Sequence, residues 1–225
     1  MGKDNQPKAR QAAKLARKRA RRASYDRILI VSEGSKTEPQ YFCEIRAHFR
    51  LHTANVQVQP SALGTQPLQV VEYAEQLFLN GDPAKQIQPK AFEQVYAVFD
   101  RDNHGTYHDA LTKAASLHKK MRSDLGQHVT FQAIASVPCF ELWLLLHFAD
   151  ILAPVHRNEV YERLRVHLPG YDKGQGGHFE RTRPHIDLAM QRAVHLAHIH
   201  TAHRGIEPYT DMHTLVDLLT KLKPE

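Results

Sequence analysis

The sequence predicts an α/β fold built on a parallel sheet, and two observations carry that prediction. Short apolar runs alternate with longer amphipathic segments as far as residue 135, in the order βαβαβαβ. Alternation of this kind implies parallel strands joined by right-handed crossovers. The runs at 27–32 (RILIVS) and 94–99 (QVYAVF) are continuously apolar, as strands covered on both faces require. A chain of 225 residues, 42% of them hydrophobic, is long enough to bury such a sheet without staples.

The elements follow in order. After the strand at 27–32 comes a turn at 33–36. Thr37 is then placed to cap a helix, with Gln40 as its capping-box partner. That helix is expected to reach about Arg50, with Tyr41, Ile45 and Phe49 spaced by four. Residues 55–59 alternate, with Val56 and Val58 inward, and stop at Pro60. Segment 67–80 reads as a helix through Leu68, Val71, Ala74, Leu77 and Phe78, closed by Asn80-Gly81. The strand at 94–99 is followed by a helix expected over 107–125, with Gly126 just past its end, and a fourth strand over 129–135. Beyond Pro138 the pattern turns helical, at 140–148, 158–166 and 184–203, with a last helix capped by Thr210 or Asp211 and running to Leu222. Between them 169–177 (PGYDKGQGG) is a glycine-rich loop, expected to be mobile. The chain thus divides into a basic disordered tail (1–24), an α/β domain (25–148) and a helical C-terminal extension packing on it (149–225).

The formal charge of +6 is unevenly placed. Residues 1–24 hold nine Lys or Arg against one acid, Asp4, which makes the tail +8 and leaves the other 201 residues at −2. The tail has no large apolar residue beyond Leu15 and cannot bury a face. Its charge suits a polyanion partner, nucleic acid above all. Cys43 and Cys139 stand alone, which excludes a disulfide scaffold or a cysteine zinc finger and suits a reducing cytoplasm. The most apolar stretch, 139–148, contains Glu141 and is too short to span a bilayer. The basic N-terminus lacks the apolar segment of a secretory signal.

In open parallel sheets ligands bind beyond the carboxyl ends of the strands. The first strand delivers Glu33-Gly34, the third Asp100-Arg101-Asp102-Asn103-His104-Gly105, and the fourth Pro138-Cys139-Phe140-Glu141. Three strand ends therefore bring carboxylates to one edge. Asp100 and Asp102 lie two apart, so in extended backbone both point to one side, as a hard oxygen-seeking cation such as Mg2+ or Mn2+ requires. A lone D-x-D is commonly a turn, and Glu-Gly after a strand says little alone. Their joint occurrence at matching strand ends is what points to a metal site.

Glu-Gly after the first strand with D-x-D-x-x-G after the third resembles the TOPRIM domain of topoisomerases, DnaG-type primases and OLD-family nucleases. The string VSEGSKTEPQYF (31–42) is similar to the RloB-like family, a compact TOPRIM-containing group of restriction and phage-defence loci. So are VFDRDNH (98–104), VPCFELWLLLHF (137–148) and, more weakly, EPYTDMHTLV (207–216). Where that family usually has Asn-Pro, this chain has Val137-Pro138.

The resemblance implies a TOPRIM-like sheet and metal-dependent phosphodiester chemistry. Asp100 and Asp102 would hold the divalent metal. Glu33 would share it or act as general acid or base, and Glu141 would complete the acidic pocket. It also implies a role in antiphage defence with a partner ATPase encoded nearby, RloA-like in kind. A topoisomerase would need a catalytic tyrosine on another domain, and a primase would need nucleotide-binding and zinc modules. Hydrolysis by activated water needs only the pocket, so a nuclease acting on RNA, including tRNA, or DNA is favoured. The alternative is a non-catalytic nucleic-acid-binding or assembly subunit. A D-x-D glycosyltransferase leaves Glu33-Gly34 without a role, and a phospho-acceptor receiver would want paired acids after the first strand.

Around the acids, Lys36, Arg101 and His104 are candidate phosphate ligands, Lys36 beside a helix N-terminus. Glu38 lies in that helix's first turn, where dipole compensation explains it as well as metal binding does. The turn lacks the glycine spacing of a P-loop. Of the sixteen histidines, His195, His198, His200 and His203 crowd one segment. They lack an H-E-x-x-H pattern or a completing acid and read as a surface that gains charge at low pH.

Removing residues 1–24 is expected to weaken binding to polyanions and to flatten its salt dependence, because each lost phosphate contact lowers the log–log slope. A salt series of binding isotherms on the full and shortened chains checks this. An unchanged slope would make the tail a bystander.

Overall fold

Charge cannot be accommodated along a strand that is covered on both sides, and strand β1 (Ile28–Ser32) is buried at every position. In the computed structural model, which describes residues 25–101, 105–204 and 208–222, Ile28 and Ile30 point into one core and Leu29 and Val31 into the other. The period-two alternation of a strand divides them in this way. The basic tail, Asp102 and His104 lie outside the described residues.

Five strands form one sheet in the order β2-β1-β3-β4-β5. Strands β2 (Val56–Pro60), β3 (Gln94–Asp100) and β4 (Thr130–Val137) continue β1 in parallel, while β5 (Tyr209–Thr210) is antiparallel to β4. The chain is therefore α/β, with a mostly parallel sheet flanked by helices. Helix α1 (Thr37–His48) connects β1 to β2 and buries Tyr41, Phe42 and Ile45 in the first core. Helices α2 (Pro67–Asn80) and α3 (Tyr107–Leu117) pack on the second. The succession of strands reverses direction after β2, so the crossovers change faces between β1 and β3.

Local chemistry sets the ends of α2 as expected. Pro67 occupies its first turn, where a missing N–H costs nothing. The Gln69 side chain accepts from Gln66 N at 3.3 Å. Gly81 stops the helix at φ +69°, where a Cβ would come within 2.6 Å of the Ile87 carbonyl. Helix α1 differs from expectation: Thr37 is its buried first residue and Lys36 precedes it without a side-chain cap.

Helix α3 ends well short of the expected residue 125. Lys119 adopts a left-handed φ of 57° and donates its N–H to Val129 O at 2.9 Å, while Val129 N returns to Met121 O at 3.0 Å. This detour brings Asp124 to Arg27. The Arg27 guanidinium, buried just before β1, bonds both Glu93, just before β3, and Asp124. Gly126 closes a tight turn there and does not end a helix. Strand β4 runs two residues past the expected 135 and meets β5, whose two residues have too little periodicity to be read in the sequence.

The C-terminal elements are α4 (Glu141–Leu146), α5 (Arg157–His167), α6 (His178–Thr182), a 3-10 turn (Arg183–His185), α7 (Ile186–Ile199) and α8 (Met212–Lys221). The expected helix 184–203 thus begins as a 3-10 turn and ends at His200, whose backbone is extended. Of the two expected caps, Asp211 is the N-cap of α8 without a side-chain cap bond, and Thr210 Oγ1, one residue earlier, accepts from Met212 N at 3.2 Å. Leu142, Trp143, Leu144, Leu145 and Leu146 are all core. His195, His198 and His203 are exposed. Among the described residues no helix is long and apolar enough to cross a membrane.

Replacing Arg27 by Ala leaves the Glu93 carboxylate buried without its cation, a situation that typically costs about 3–5 kcal/mol. Urea denaturation is expected to show a loss of that size, and a loss under about 1 kcal/mol would remove this cluster from the supports of the fold.

Candidate functional site

A sheet whose strand succession reverses leaves a crevice beyond the carboxyl ends at the switch point, which here lies between β1 and β3. Glu33 follows β1 and Asp100 ends β3. Glu33 N donates to Val98 O at 2.9 Å, and one oxygen of its carboxylate accepts Asp100 N at 2.9 Å. On the far side Arg101 N donates to Ser136 O at 2.9 Å. The end of β3 is therefore held from both neighbours, Asp100 N by the Glu33 carboxylate and Arg101 N by the Ser136 carbonyl.

Glu141 enters from the next strand end. It opens α4, with Trp143 two residues on donating its indole N–H to the Tyr41 hydroxyl at 2.8 Å in the core. The Glu141 side chain is only 1% exposed. Its Oε1 accepts from the Tyr171 hydroxyl at 2.8 Å and lies 3.4 Å from Lys173 Nζ, while Oε2 is buried without a hydrogen-bond partner. Cys139 joins the pair: burial and then the charges of Glu141 and Asp100 push its thiol well above the ordinary range.

Glu38 also belongs to this cluster. Its carboxylate lies where a Cβ on Gly34 would be, so any side chain at 34 would come within 2.2 Å of Glu38 Oε2. Gly34 thus lets the first turn of α1 fold its acid back over the crevice. Burial, and then the charge of Glu141, hold the Glu38 carboxyl above its usual value, while Lys173 and Arg157 pull it down.

The structure therefore links Glu33 to Asp100 through the Asp100 N–H and sets Glu38 within electrostatic reach of Glu141. Of the predicted phosphate ligands, Lys36 is exposed, and its stem lies under Gly174, whose Cβ would meet Lys36 Cδ at 2.6 Å. The Arg101 charge bears on the buried Tyr107 phenol.

Four residues at the site were absent from the sequence reading. Arg157 opens α5 and reaches Asp100 Oδ2 at 3.3 Å through Nη2. Tyr171 and Lys173 come from the glycine-rich loop. Tyr161 lies on α5, with its ring 5.2 Å from Lys173 Nζ. The loop expected to be mobile is tethered: Gln40 Nε2 donates to Gly174 O at 3.2 Å, and Glu44 accepts from Gly177 N at 2.6 Å and Phe179 N at 2.8 Å. Its tyrosine and lysine beside several glycines were the one available signal. Arg157 offered none.

Among the described residues no three His, Cys, Asp or Glu side chains are grouped to hold a metal ion. The residues present are oxygen donors of the kind a hard cation takes, and one buried Glu141 oxygen lacks a partner. Asp102, the second acid of the D-x-D, is the oxygen donor that would extend the set.

A family model described as RloB-like protein matches residues 28–219, from the start of β1 into α8. No curated protein and no solved structure matches the chain.

The Glu38 shift has a sign that can be tested. A carboxyl held above its unfolded value favours the fold below that value, and this contribution is lost as pH rises through the folded one. Glu38→Gln, studied in chelator, is therefore expected to be more stable than the parent at pH 7. The difference should shrink as pH falls through and below the ordinary value of 4.5. Urea midpoints across that range check it, and a destabilised variant at pH 7 would contradict it.

Proposed function

The chain belongs to the RloB-like family, and from that premise we propose that it is a metal-dependent nuclease that hydrolyses phosphodiester bonds of nucleic acid in a TOPRIM-like site. The observation that carries the reading is the convergence of Glu33 and Asp100 at the switch point of the sheet, joined through Asp100 N, with Asp102 next in the D-x-D. The TOPRIM pattern of Glu33-Gly34 after β1 and D-x-D-x-x-G after β3 supports it.

Asp100 and Asp102 would hold the divalent metal, Mg2+ or Mn2+, with Glu33 sharing it. When bound, such an ion screens the phosphodiester charge and lowers the pKa of a water. The remaining work falls to side chains of this chain. Glu33, oriented by its bond to Asp100 N, holds or moves a proton at the attacking or leaving oxygen. Glu141 completes the acidic pocket, and Tyr171 and Trp143 fix its direction. In this reading the protein acts in the cytoplasm, in antiphage defence, with an ATPase partner that gates it.

The second reading is a non-catalytic nucleic-acid-binding or assembly subunit. The pairing of Arg157 with Asp100 and of Lys173 with Glu141 favours it, because it balances much of the acidic charge within the protein.

One experiment separates the two. Labelled RNA and DNA are incubated with the full chain and its co-expressed ATPase, in Mg2+ and in chelator. The nuclease reading expects cleavage only with the metal. Asp100→Ala or Asp102→Ala should reduce it to the metal-free level while circular dichroism and the urea midpoint stay close to those of the parent. Cleavage by the double variant, or an inert parent with Mg2+ and partner present, overturns the reading.

A further inference from the structure

We propose that the glycine-rich segment 169–177 is a strap that lies closed over the Glu141 carboxylate and lifts as a unit, between two fixed moorings, to open a way to it. What then enters, a metal-bound phosphodiester, rests on the nuclease reading. The lifting does not.

The moorings are apolar and the strap is not. Leu168 and Phe179, on either side of it, belong to the first core. From 169 to 177 only Tyr171 is buried. Tyr171 N bonds Leu168 O and Gln175 N bonds Asp172 O, so these backbone bonds stay local and would survive lifting. Attachment to the sheet is through side chains of α1. Gln40 Nε2 donates to Gly174 O at 3.2 Å and Glu44 Oε1 accepts from Gly177 N at 2.6 Å. These two residues lie four apart, on one face of the helix. A segment with few buried apolar contacts, held by hydrogen bonds near solvent, opens at less cost than the whole fold.

The closed position fits closely and covers the acid. Gly174 lies against Lys36, whose Cδ a Cβ would meet at 2.6 Å, and both Gly174 and Gly177 are left-handed, at φ +82° and +75°. The strap delivers the Tyr171 hydroxyl to Glu141 Oε1 at 2.8 Å and Lys173, which the same carboxylate and the Tyr161 ring engage. Beneath it the Glu141 side chain is 1% exposed, with Oε2 lacking a partner.

Closure also carries a penalty that opening removes. His178, next to the strap, is buried with its ring 4.8 Å from that of Tyr171. Neither ring nitrogen makes a well-formed hydrogen bond. An imidazole buried in this way costs free energy that water would restore. The strap is therefore latched by a few polar bonds against a standing cost.

Cys139 supplies the reporter, because it is fully buried and its charge would bear on Tyr171. In the full chain carrying Cys43→Ser, in chelator, alkylation of Cys139 is followed against urea well below the unfolding midpoint. Opening of the strap exposes little surface, so a labelling rate nearly independent of urea is expected there, where global unfolding would rise steeply. Glu44→Ala removes the latch and Gly177→Ala strains the closed backbone. Each is expected to raise that rate about tenfold. Gly126→Ala, equally left-handed at φ +77° in a turn beside Asp124, should leave it unchanged. Labelling that keeps the full urea slope of global unfolding in the parent and both strap variants overturns the proposal. So does a urea-independent rate that neither variant changes. The readout uses no substrate, so a strap that opens in a protein cleaving nothing sustains the proposal while the nuclease reading fails.

Discussion

A parallel strand clad on both faces has nowhere to put a charge except its ends, and this constraint organises the molecule. Strand β1 is apolar throughout, and its residues divide between two cores. Ionic groups are therefore expelled to the rims of the sheet, and the two rims are treated differently. At the amino rim Arg27 is enclosed by Glu93 and Asp124, each hydrogen-bonded to it, which satisfies charge locally and leaves nothing to offer a ligand. At the carboxyl rim Arg157 and Lys173, which pair with Asp100 and Glu141, keep 31% and 54% of their side chains exposed. The reversal of strand order places that second rim over a crevice.

The reach of the sequence follows the same division. Glu33, Asp100 and Glu141 were legible because each is tied to the end of an apolar run, and such runs are what periodicity detects best. Helix α2 was legible to its ends because Pro67 and Gly81 act locally. The end of α3 was not, because Lys119 and Asp124 obey partners in distant segments, Val129 and Arg27. Arg157 and Tyr161 look like the solvated face of a short polar helix, and Lys173 like a loop lysine. Only the folding of the extension back over the sheet gives them carboxylates to meet. Thr37 misled because a threonine three residues before a glutamine has the form of a capping box, yet it is buried as the first residue of the helix itself.

The acidic rim and the extension depend on one another. Glu141 is aimed by a helix that is nearly all core, anchored through Trp143 and Tyr41, and its carboxylate is met by Tyr171 and Lys173. Cys139 and Glu38 show the cost of this crowding, since burial first, and then neighbouring carboxylate charge, pushes both towards their neutral forms. The crevice is thus a strained concentration of negative charge that the later half of the chain partly relieves.

The two-residue strand β5 gives this dependence an order in time. It covers the edge of β4 through the Ser136–Thr210 pair, whose hydroxyls lie 2.9 Å apart. Ribosomes add about 5–20 residues per second, and folding starts from the N-terminal side. For seconds, then, a nascent chain carries four strands, an uncovered β4 edge and acids without their cations. The edge is a template for unwanted strand pairing until residues 209–210 arrive. By then Arg157 and Lys173 have already been made, so a chain whose sheet can close also holds the counter-ions of Asp100 and Glu141.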